Sequence, residues 1–499
     1  MTTITTGQKV RQPAGFYILF LTEMWERFGF YLISSLLVLY LTKTMGFDDT
    51  TAYTAFASFV ALLYITPAVG GYVADKFLGY RRSLGIGAAF LTVGYAILAM
   101  PEKSFMWPAL ACIIIGMGFF KSMPYALLNK LYQSDAQRAK MDGAFTLYYL
   151  SIQVGGLVPV FAGGFLANAM GYHATFAIGM VGMFIGFMTF IFGIRCFKNA
   201  DIEIGYEKTN YFFIAMVIIA CIFVIAFITR MLEHSQATHM LVWSVAVVML
   251  AYVIFKGKSL ATIDRVKLAV AVGLTVMGIV FFALYYQQPM SLTLFIDRNV
   301  DRHMFGFTMP SSSYWVWNPI WILIIGPCLT AIYNYFGRRQ RDLSITMKFG
   351  VGIIFMGLGY FVVTVGTWFA DSTQHISSGW IIGSYALQST AELMVNALGT
   401  AMIAKLAHKS VMNVMMGIWF IGTSIGGLLA GNFADMTAVP DKATAIDSLH
   451  IYAHAFNIFA IVSVVIGVIV CIAAPMVTRM VQEKHDAPSV ANAAIPIGA

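Results

Sequence analysis

Charge is scarce in this 499-residue chain: only 11% of its residues are Asp, Glu, Lys or Arg, against roughly 25% in a soluble domain. A water-facing surface cannot be covered with so few ionic groups, so a soluble fold is excluded. The five cysteines, at 112, 196, 221, 328 and 471, stand singly in apolar stretches. There is no C-x-x-C and no histidine cluster, so they read as packing residues, not as a disulfide framework, a metal site or a redox centre. No G-x-x-x-x-G-K-[ST] sequence occurs and no loop is long enough for a nucleotide-binding domain. ATP is therefore not the expected energy source. Nor does any nucleophile–base spacing point to an enzyme, and neither a cofactor nor a metal is expected. The opening stretch MTTITTGQKVRQPAG lacks the short hydrophobic core and cleavage site of a removable signal, so the first apolar segment is expected to stay in the protein.

Oil and small residues are abundant instead: 59% of the chain is hydrophobic, with 40 Phe, 30 Met and 44 Gly, and the mean hydropathy is +0.77. A membrane span needs about 20 mainly apolar residues. Fourteen segments qualify: 15–42, 52–74, 80–100, 105–126, 142–168, 172–195, 209–229, 237–256, 267–296, 314–336, 346–368, 378–404, 411–433 and 446–477. The net charge of +8 does not mark a nucleic-acid partner, because its distribution follows the loops. Lysine and arginine accumulate in every second loop, and only Lys43, Lys103, Arg230, Arg298, Arg302 and Lys442 fall in the others. Short cytoplasmic loops are the basic ones, so both termini are expected in the cytoplasm. A missed or extra helix would destroy this asymmetry. The expected fold is an all-α polytopic membrane protein surrounded by lipid. Two six-helix bundles, 15–196 and 265–477, are joined by a two-helix hairpin at 209–256. Repeated halves are the usual architecture of secondary transporters, with the site near their junction.

Against this background a few charges stand inside spans, where each is costly unless paired or hydrated. The first span, GFYILFLTEMWERFGFYLISSLLVLYL, carries Glu23, Glu26 and Arg27, and Glu23 and Arg27 are i,i+4 neighbours on one helix face. One arginine cannot compensate two carboxylates. Lys121, in IIIGMGFFKSMPYALL, is the expected second cation. Such a set is either a structural ion-pair network or a proton and substrate site whose pairs exchange during transport. The second half carries Glu392, with Gln388 four residues before it and Asn396 four after, all on one face. A carboxylate without a nearby cation can receive an ammonium or carry a proton. Further polar side chains lie at depth: Tyr285, Tyr286, Gln287 and Gln288 before Pro289; Trp317 and Asn318 before Pro319; Tyr148, Tyr149, Ser151 and Gln153 before Gly155–Gly156. Proline frees a backbone carbonyl, so these positions read as bends, ligand contacts or both. In GGYVADKFLGYRRS, Asp75 is placed to pair with Arg81 and Arg82 as a cytoplasmic latch.

Several of these motifs resemble the proton-dependent oligopeptide transporter family of the major facilitator superfamily. TEMWERFGFY at 22–31 is similar to the first-helix signature E-x-x-E-R-F-x-Y-Y, with Phe30 in place of the first paired tyrosine. GGYVADKFLGYRR resembles the superfamily loop between helices 2 and 3. FTLYYLSIQVGG at 145–156 resembles the fifth-helix signature, with Gln153 where asparagine is usual. The resemblance implies import of small peptides with protons by alternating access. It implies coupling roles for Glu23 and Glu26, with Arg27 and Lys121 serving both the acids and the peptide carboxylate. It further implies pocket roles for Tyr31, Tyr64 and Asn318, receipt of the peptide ammonium by Glu392, and a side-chain pocket lined by Trp419. Tyr149, Gln153, Tyr286, Gln287 and Asn396 complete the expected binding set. Two departures stand out. Lys121 is followed by Ser122-Met123, with the proline shifted to 124. Tyr286 occupies a position where the family usually has an acid that is protonated or helps close the outside, and tyrosine is no anion near neutral pH.

The leading expectation is thus a proton-coupled importer of di- or tripeptides or a related zwitterion, acting as a monomer in a bacterial inner membrane. A transporter of another polar metabolite, inward or outward, is the nearest alternative. A channel or a non-transporting receptor is a remoter one.

Overall fold

The computed structural model describes residues 12–132, 141–200, 211–304, 306–339, 343–406, 411–440 and 442–486. The two termini, and the basic loop residues Lys9, Arg11, Arg138, Lys140, Lys208, Arg341 and Lys409, lie outside the described residues. The apolar runs form long helices: α1 (Ala14–Lys43), α2 (Asp49–Val73), α3 (Tyr80–Leu98), α4 (Met106–Phe120), α5 (Met123–Leu131), α6 (Met141–Met170), α7 (Tyr172–Gly193) and α8 (Tyr211–Glu233). They continue as α9 (Ser235–Gly257), α10 (Thr262–Tyr285), α11 (Ser291–Asn299), α12 (Trp317–Arg338), α13 (Ile345–Thr367), α14 (Ser378–Leu406), α15 (Met412–Asp435) and α16 (Ala445–Asp486).

Among the described residues, twelve helices are long and apolar enough to cross a membrane by length and composition. The chain is therefore an all-α polytopic membrane protein. The expected spans at 80–100 and 378–404 are also long helices, α3 and α14, but fall outside those twelve. Arg81 and Arg82 open α3, and Gln388, Glu392 and Asn396 interrupt the apolar run of α14. Short 3-10 and π turns link some of these helices, and four two-residue strands pair: β1 (Val300–Asp301) in parallel with β4 (Ile376–Ser377), and β2 (His303–Met304) antiparallel with β3 (Phe307–Thr308).

The chain forms two compact units, Met1–Gly46 with Leu62–Gln236, and Phe47–Ala61 with Ala237–Ala499. In the first, α1 packs on α6 and α7, α3 on α4 and α7, and α8 on α4. Small residues permit this approach: a methyl group added at Gly87 of α3 would lie 2.8 Å from the Gly116 carbonyl oxygen of α4. In the second, α13 packs on α14 and α16, and α10 on α15 and α14.

Two expected spans are interrupted. The segment 105–126 turns at Lys121–Ser122, between α4 and α5. The segment 267–296 breaks between Tyr285 and Ser291, around Pro289. A break inside a membrane needs substitute partners for its backbone, and this one has them. Tyr360 Oη donates to the Leu284 carbonyl at 2.7 Å, Gln287 Nε2 to the Ala283 carbonyl at 3.0 Å and Thr293 Oγ1 to the Gln288 carbonyl at 2.8 Å.

Beyond that break, Arg298 holds Asp49 through a two-pronged pair, Nη1 to Oδ2 at 2.6 Å and Nη2 to Oδ1 at 2.8 Å. The Val439 amide donates to Asp49 Oδ2 at 3.1 Å, and Arg298 Nη1 reaches Tyr452 Oη at 3.0 Å. Planar bidentate geometry of this kind suits arginine and not lysine. Removing the carboxylate by Asp49→Ala leaves a half-buried guanidinium and a backbone amide without their acceptor, at a cost of about 2–3 kcal/mol. The purified variant should unfold several degrees below wild type in detergent, and Arg298→Lys should lose much of the same stability. Unchanged melting of both would show that the pair contributes little.

Candidate functional site

In the first unit, α1 carries Glu23, Glu26 and Arg27 into its own core. Glu26 is 0% exposed, Glu23 4% and Arg27 8%. Arg27 Nε lies 2.6 Å from Glu26 Oε2 and 3.2 Å from Glu23 Oε1, so a single guanidinium edge serves both acids. The approach is charge pairing without alignment: neither Glu26 oxygen receives a hydrogen bond. Arg27 Nη2 points instead at Met117 Sδ, 3.8 Å away on α4, and the guanidinium lies 5.2 Å from the Phe30 ring centre. Glu23 is better served, with Tyr148 Oη donating to its Oε2 at 2.7 Å.

The helix positions explain how these groups meet. A side chain at Gly155 would run into the Met24 carbonyl and would lie 2.9 Å from Arg27 Cβ, and one at Gly156 would lie 2.8 Å from the Tyr31 ring. The glycine pair thus lets α6 close onto the charged face of α1. Tyr148 stands two turns before Gly155 on the same face of α6 and so meets Glu23. Tyr149, the neighbour expected in the binding set, is 44% exposed, and Gln153 is half-buried. The signal for Tyr148 was present in the sequence, since a tyrosine seven residues before a close-packing glycine must share its face.

Lys121 stands at the turn between α4 and α5. Among the described residues no ion pair joins it to Glu23 or Glu26. Its Nζ sits 3.6 Å from the centre of the Tyr64 ring, a cation–π contact that supports a desolvated ammonium without neutralising it. The expected pairing of two bases with two acids is therefore only half made: Arg27 takes both carboxylates and Lys121 takes an aromatic face.

In the second unit, Asn318, at the start of α12, donates through Nδ2 to Glu392 Oε2 at 2.9 Å and to Ser389 Oγ at 3.2 Å. Ser389 Oγ in turn donates to the Asn318 carbonyl at 3.2 Å, so three polar groups from α12 and α14 are locked together. Asn396 and Tyr285 also reach the Glu392 carboxyl. No cation pairs with Glu392 among the described residues. The carboxylate is held by neutral donors and remains open to a cation.

The neighbouring expected residues divide by their surroundings. Gln287 is fully buried: Nε2 donates to the Ala283 and Ala430 carbonyls, and Oε1 accepts from Ser291 at 2.6 Å. Gln288 donates to Gln388 Oε1 at 2.9 Å, tying the α10–α11 break to the helix that bears Glu392. Tyr286 is 7% exposed and stacks on Phe282 with ring centres 6.1 Å apart. Trp419 fits where Gly278 of α10 and Gly399 of α14 leave room for its indole, with Phe282 and Phe349 against its edge. Among the described residues no ion pair closes the expected latch between Asp75 and Arg81 or Arg82. Asp75 is exposed on a π-turn, Ala74–Leu78, while Arg81 Nη1 lies 3.5 Å from the Phe197 carbonyl. No group of metal-ligating side chains occurs among the described residues.

A many-pass helical protein with a buried ion cluster in one unit and a lone, hydrogen-bonded carboxylate in the other has the makings of a solute transporter. The sequence profile of the POT family matches residues 82–450. Dipeptide and tripeptide permease A of Salmonella typhimurium is 35% identical over 490 residues, covering 97% of this chain and 96% of the permease. The permease of the same name from Escherichia coli K12 is 35% identical over 491 residues, 97% and 96% of the two chains, and that from Yersinia pestis 36% over 483 residues, 95% of each. Among solved structures, tetrameric PepTSo2 superposes with a TM-score of 0.82 at 30% identity, over 94% of this chain and all of that one. A bacterial homologue of the human drug peptide transporters gives 0.81 at 30%, over 95% and 100%. The chain belongs to the POT family, and it is a transporter, not an enzyme. Its place is the inner membrane of a bacterium.

The Gly155 contact carries a direct test. Gly155→Leu forces α6 off α1 and shifts Arg27 from its carboxylates, and overpacking of this kind costs about 1–3 kcal/mol. Gly143 on the same helix faces open space, so Gly143→Ala should be neutral. Melting temperatures of the two variants in detergent should separate clearly. Equal values would mean that the close approach does not constrain the cluster.

Proposed function

We propose that this protein is a proton-coupled importer of di- and tripeptides, working by alternating access. The observation that carries the reading is Glu26: fully buried, beside one shared arginine, with no hydrogen bond to either oxygen. A proton is the simplest partner that would satisfy such a group, and taking it would release Arg27 toward Glu23 or toward a peptide carboxylate. Glu392, whose donors are all neutral, would receive the peptide's α-ammonium. A zwitterion offers a carboxylate suited to cations such as Arg27 and Lys121 and an ammonium suited to an acid such as Glu392. The relatives named as dipeptide and tripeptide permeases, and the family's proton-dependent members, support the same substrate and driving ion.

On this reading Tyr31, Tyr64, Tyr149, Gln153, Asn318, Asn396 and Trp419 line the binding path, and Gln287 and Tyr286 brace it from the α10–α11 break. Asp75, Arg81 and Arg82 form the cytoplasmic gate when it closes. The topology is fourteen spans, six plus six around the central pair α8 and α9, with both termini in the cytoplasm and the monomer as the transporting unit. Because Tyr286 replaces an acid and is packed against Phe282, proton coupling falls to Glu23 and Glu26 without a carboxylate at that position.

Uptake into proteoliposomes separates the two poles. Glu26→Gln should abolish accumulation driven by an inward proton gradient while keeping peptide exchange. Glu392→Gln should keep coupling but raise KM for peptides with a free α-amino group by about tenfold or more, the loss expected for a hydrogen bond to a charged group. Uphill uptake by Glu26→Gln at the wild-type level would overturn the coupling assignment, and an unchanged KM in Glu392→Gln the recognition assignment.

A further inference from the structure

The second unit carries a furrow whose lining residues lie outside the ion cluster and the Glu392 network. One cavity of about 400 Å³ opens between α9 and α10, walled by Leu250, Val253, Ile254, Leu268 and Val272 and ending at Lys258 and Arg265. A second, of about 230 Å³, lies between α9, α10 and α15, with Trp243, Ile279 and Ile418 in its walls. Leu250 and Val272 line both, so the two form one apolar channel. From Arg265 to Ile279 along α10 is about 21 Å at 1.5 Å per residue. One leaflet of a hydrocarbon core of about 30 Å is about 15 Å deep. The furrow is thus long enough for a whole acyl chain, and its basic end lies on the side that the loop charges assign to the cytoplasm.

That end is built for an anion. Arg265 is fixed by two hydrogen bonds, Nε to the Leu260 carbonyl and Nη2 to the Lys258 carbonyl, both 2.8 Å. Its Nη1 has no hydrogen-bond partner among the described residues. Lys258 makes no ion pair among them either, and Lys256 and Lys267 stand nearby on the same two helix ends, with Asp264 the one acid. The first turn of α10 adds free backbone N–H groups, since its N-cap residue, Ala261, offers no side-chain acceptor. The ordered guanidinium, the second cation and the helix start converge where an acyl chain in the furrow would end in a phosphate.

We propose that this furrow is a binding site for one anionic phospholipid, its phosphate on Lys258 and Arg265 and an acyl chain along α9 and α10. None of the residues lining the furrow belongs to the ion cluster of α1 or to the Glu392 network, so the test does not depend on the transport reading. Native mass spectrometry of the detergent-purified protein, titrated with phosphatidylglycerol or phosphatidylcholine of identical chains, reads it directly. Wild type should retain phosphatidylglycerol on the order of tenfold more strongly, the scale set by two cations at a membrane surface. Lys258→Glu with Arg265→Glu should bring the two lipids level. Lys258→Gln with Arg265→Gln gives the same reading should the reversed pair fail to fold. Val272→Trp, which blocks the channel, should weaken retention of both lipids. Glycerol phosphate, a headgroup without chains, should not displace the bound lipid. Equal retention of the two lipids by wild type, an undiminished preference in the neutralised pair, or displacement by glycerol phosphate would overturn the proposal.

Discussion

Arg27 is the group on which the rest of the first unit depends. In a medium without water, two buried glutamates on one helix require a cation, and this structure gives them one guanidinium edge between them. Everything around that edge follows from keeping it in place. Gly155 and Gly156 let α6 approach close enough for Tyr148 to reach Glu23, Met117 accepts the outer nitrogen, and Phe30 covers the guanidinium face. A network of well-packed apolar residues would join these helices with less desolvation. The charges are retained in a form that leaves Glu26 under-served, which is the condition for a group that must gain and lose a partner.

The second unit solves the same solvent problem differently. Its carboxylate is held by amide and hydroxyl donors, and its bent helix is supplied with side-chain donors to the Ala283 and Leu284 carbonyls just before the break. Gln288 and Gln388 connect the two arrangements through one hydrogen bond. The helix that bears Glu392 is therefore mechanically tied to the break between α10 and α11, and a change at either is felt at the other.

Much of this was legible in the sequence, and the limits are instructive. The long helices follow from apolar length alone, and the charged positions within them announce themselves by their cost. Pro289 marked one bend in advance, but periodicity could not show the turn at Lys121–Ser122, which lies inside a run that remains apolar on average. Nor could it show which cation serves which acid. Lys121 was expected at the glutamates and lies over Tyr64, a choice made by the turn after α4. Tyr148 was one of several polar residues in its stretch until the α1–α6 packing set the helix phase. Asp75 lies only six and seven residues before Arg81 and Arg82, yet the π-turn holds the carboxylate out and Arg81 turns toward Phe197.

The net charge of the cluster has a consequence for voltage. Glu23, Glu26, Arg27 and Lys121 together are neutral when all are ionised, with Lys121 balanced only at a distance. Adding a proton to Glu26 makes the set singly positive. On the proposed coupling at Glu26, an interior-negative membrane potential then acts on the protonated set and not on the neutral one, at about 2.3 kcal/mol per elementary charge for each 100 mV crossed. That sum is the same whichever partner Lys121 takes, so with Glu26 as the proposed proton carrier the electrical field becomes a second driving force alongside the proton concentration.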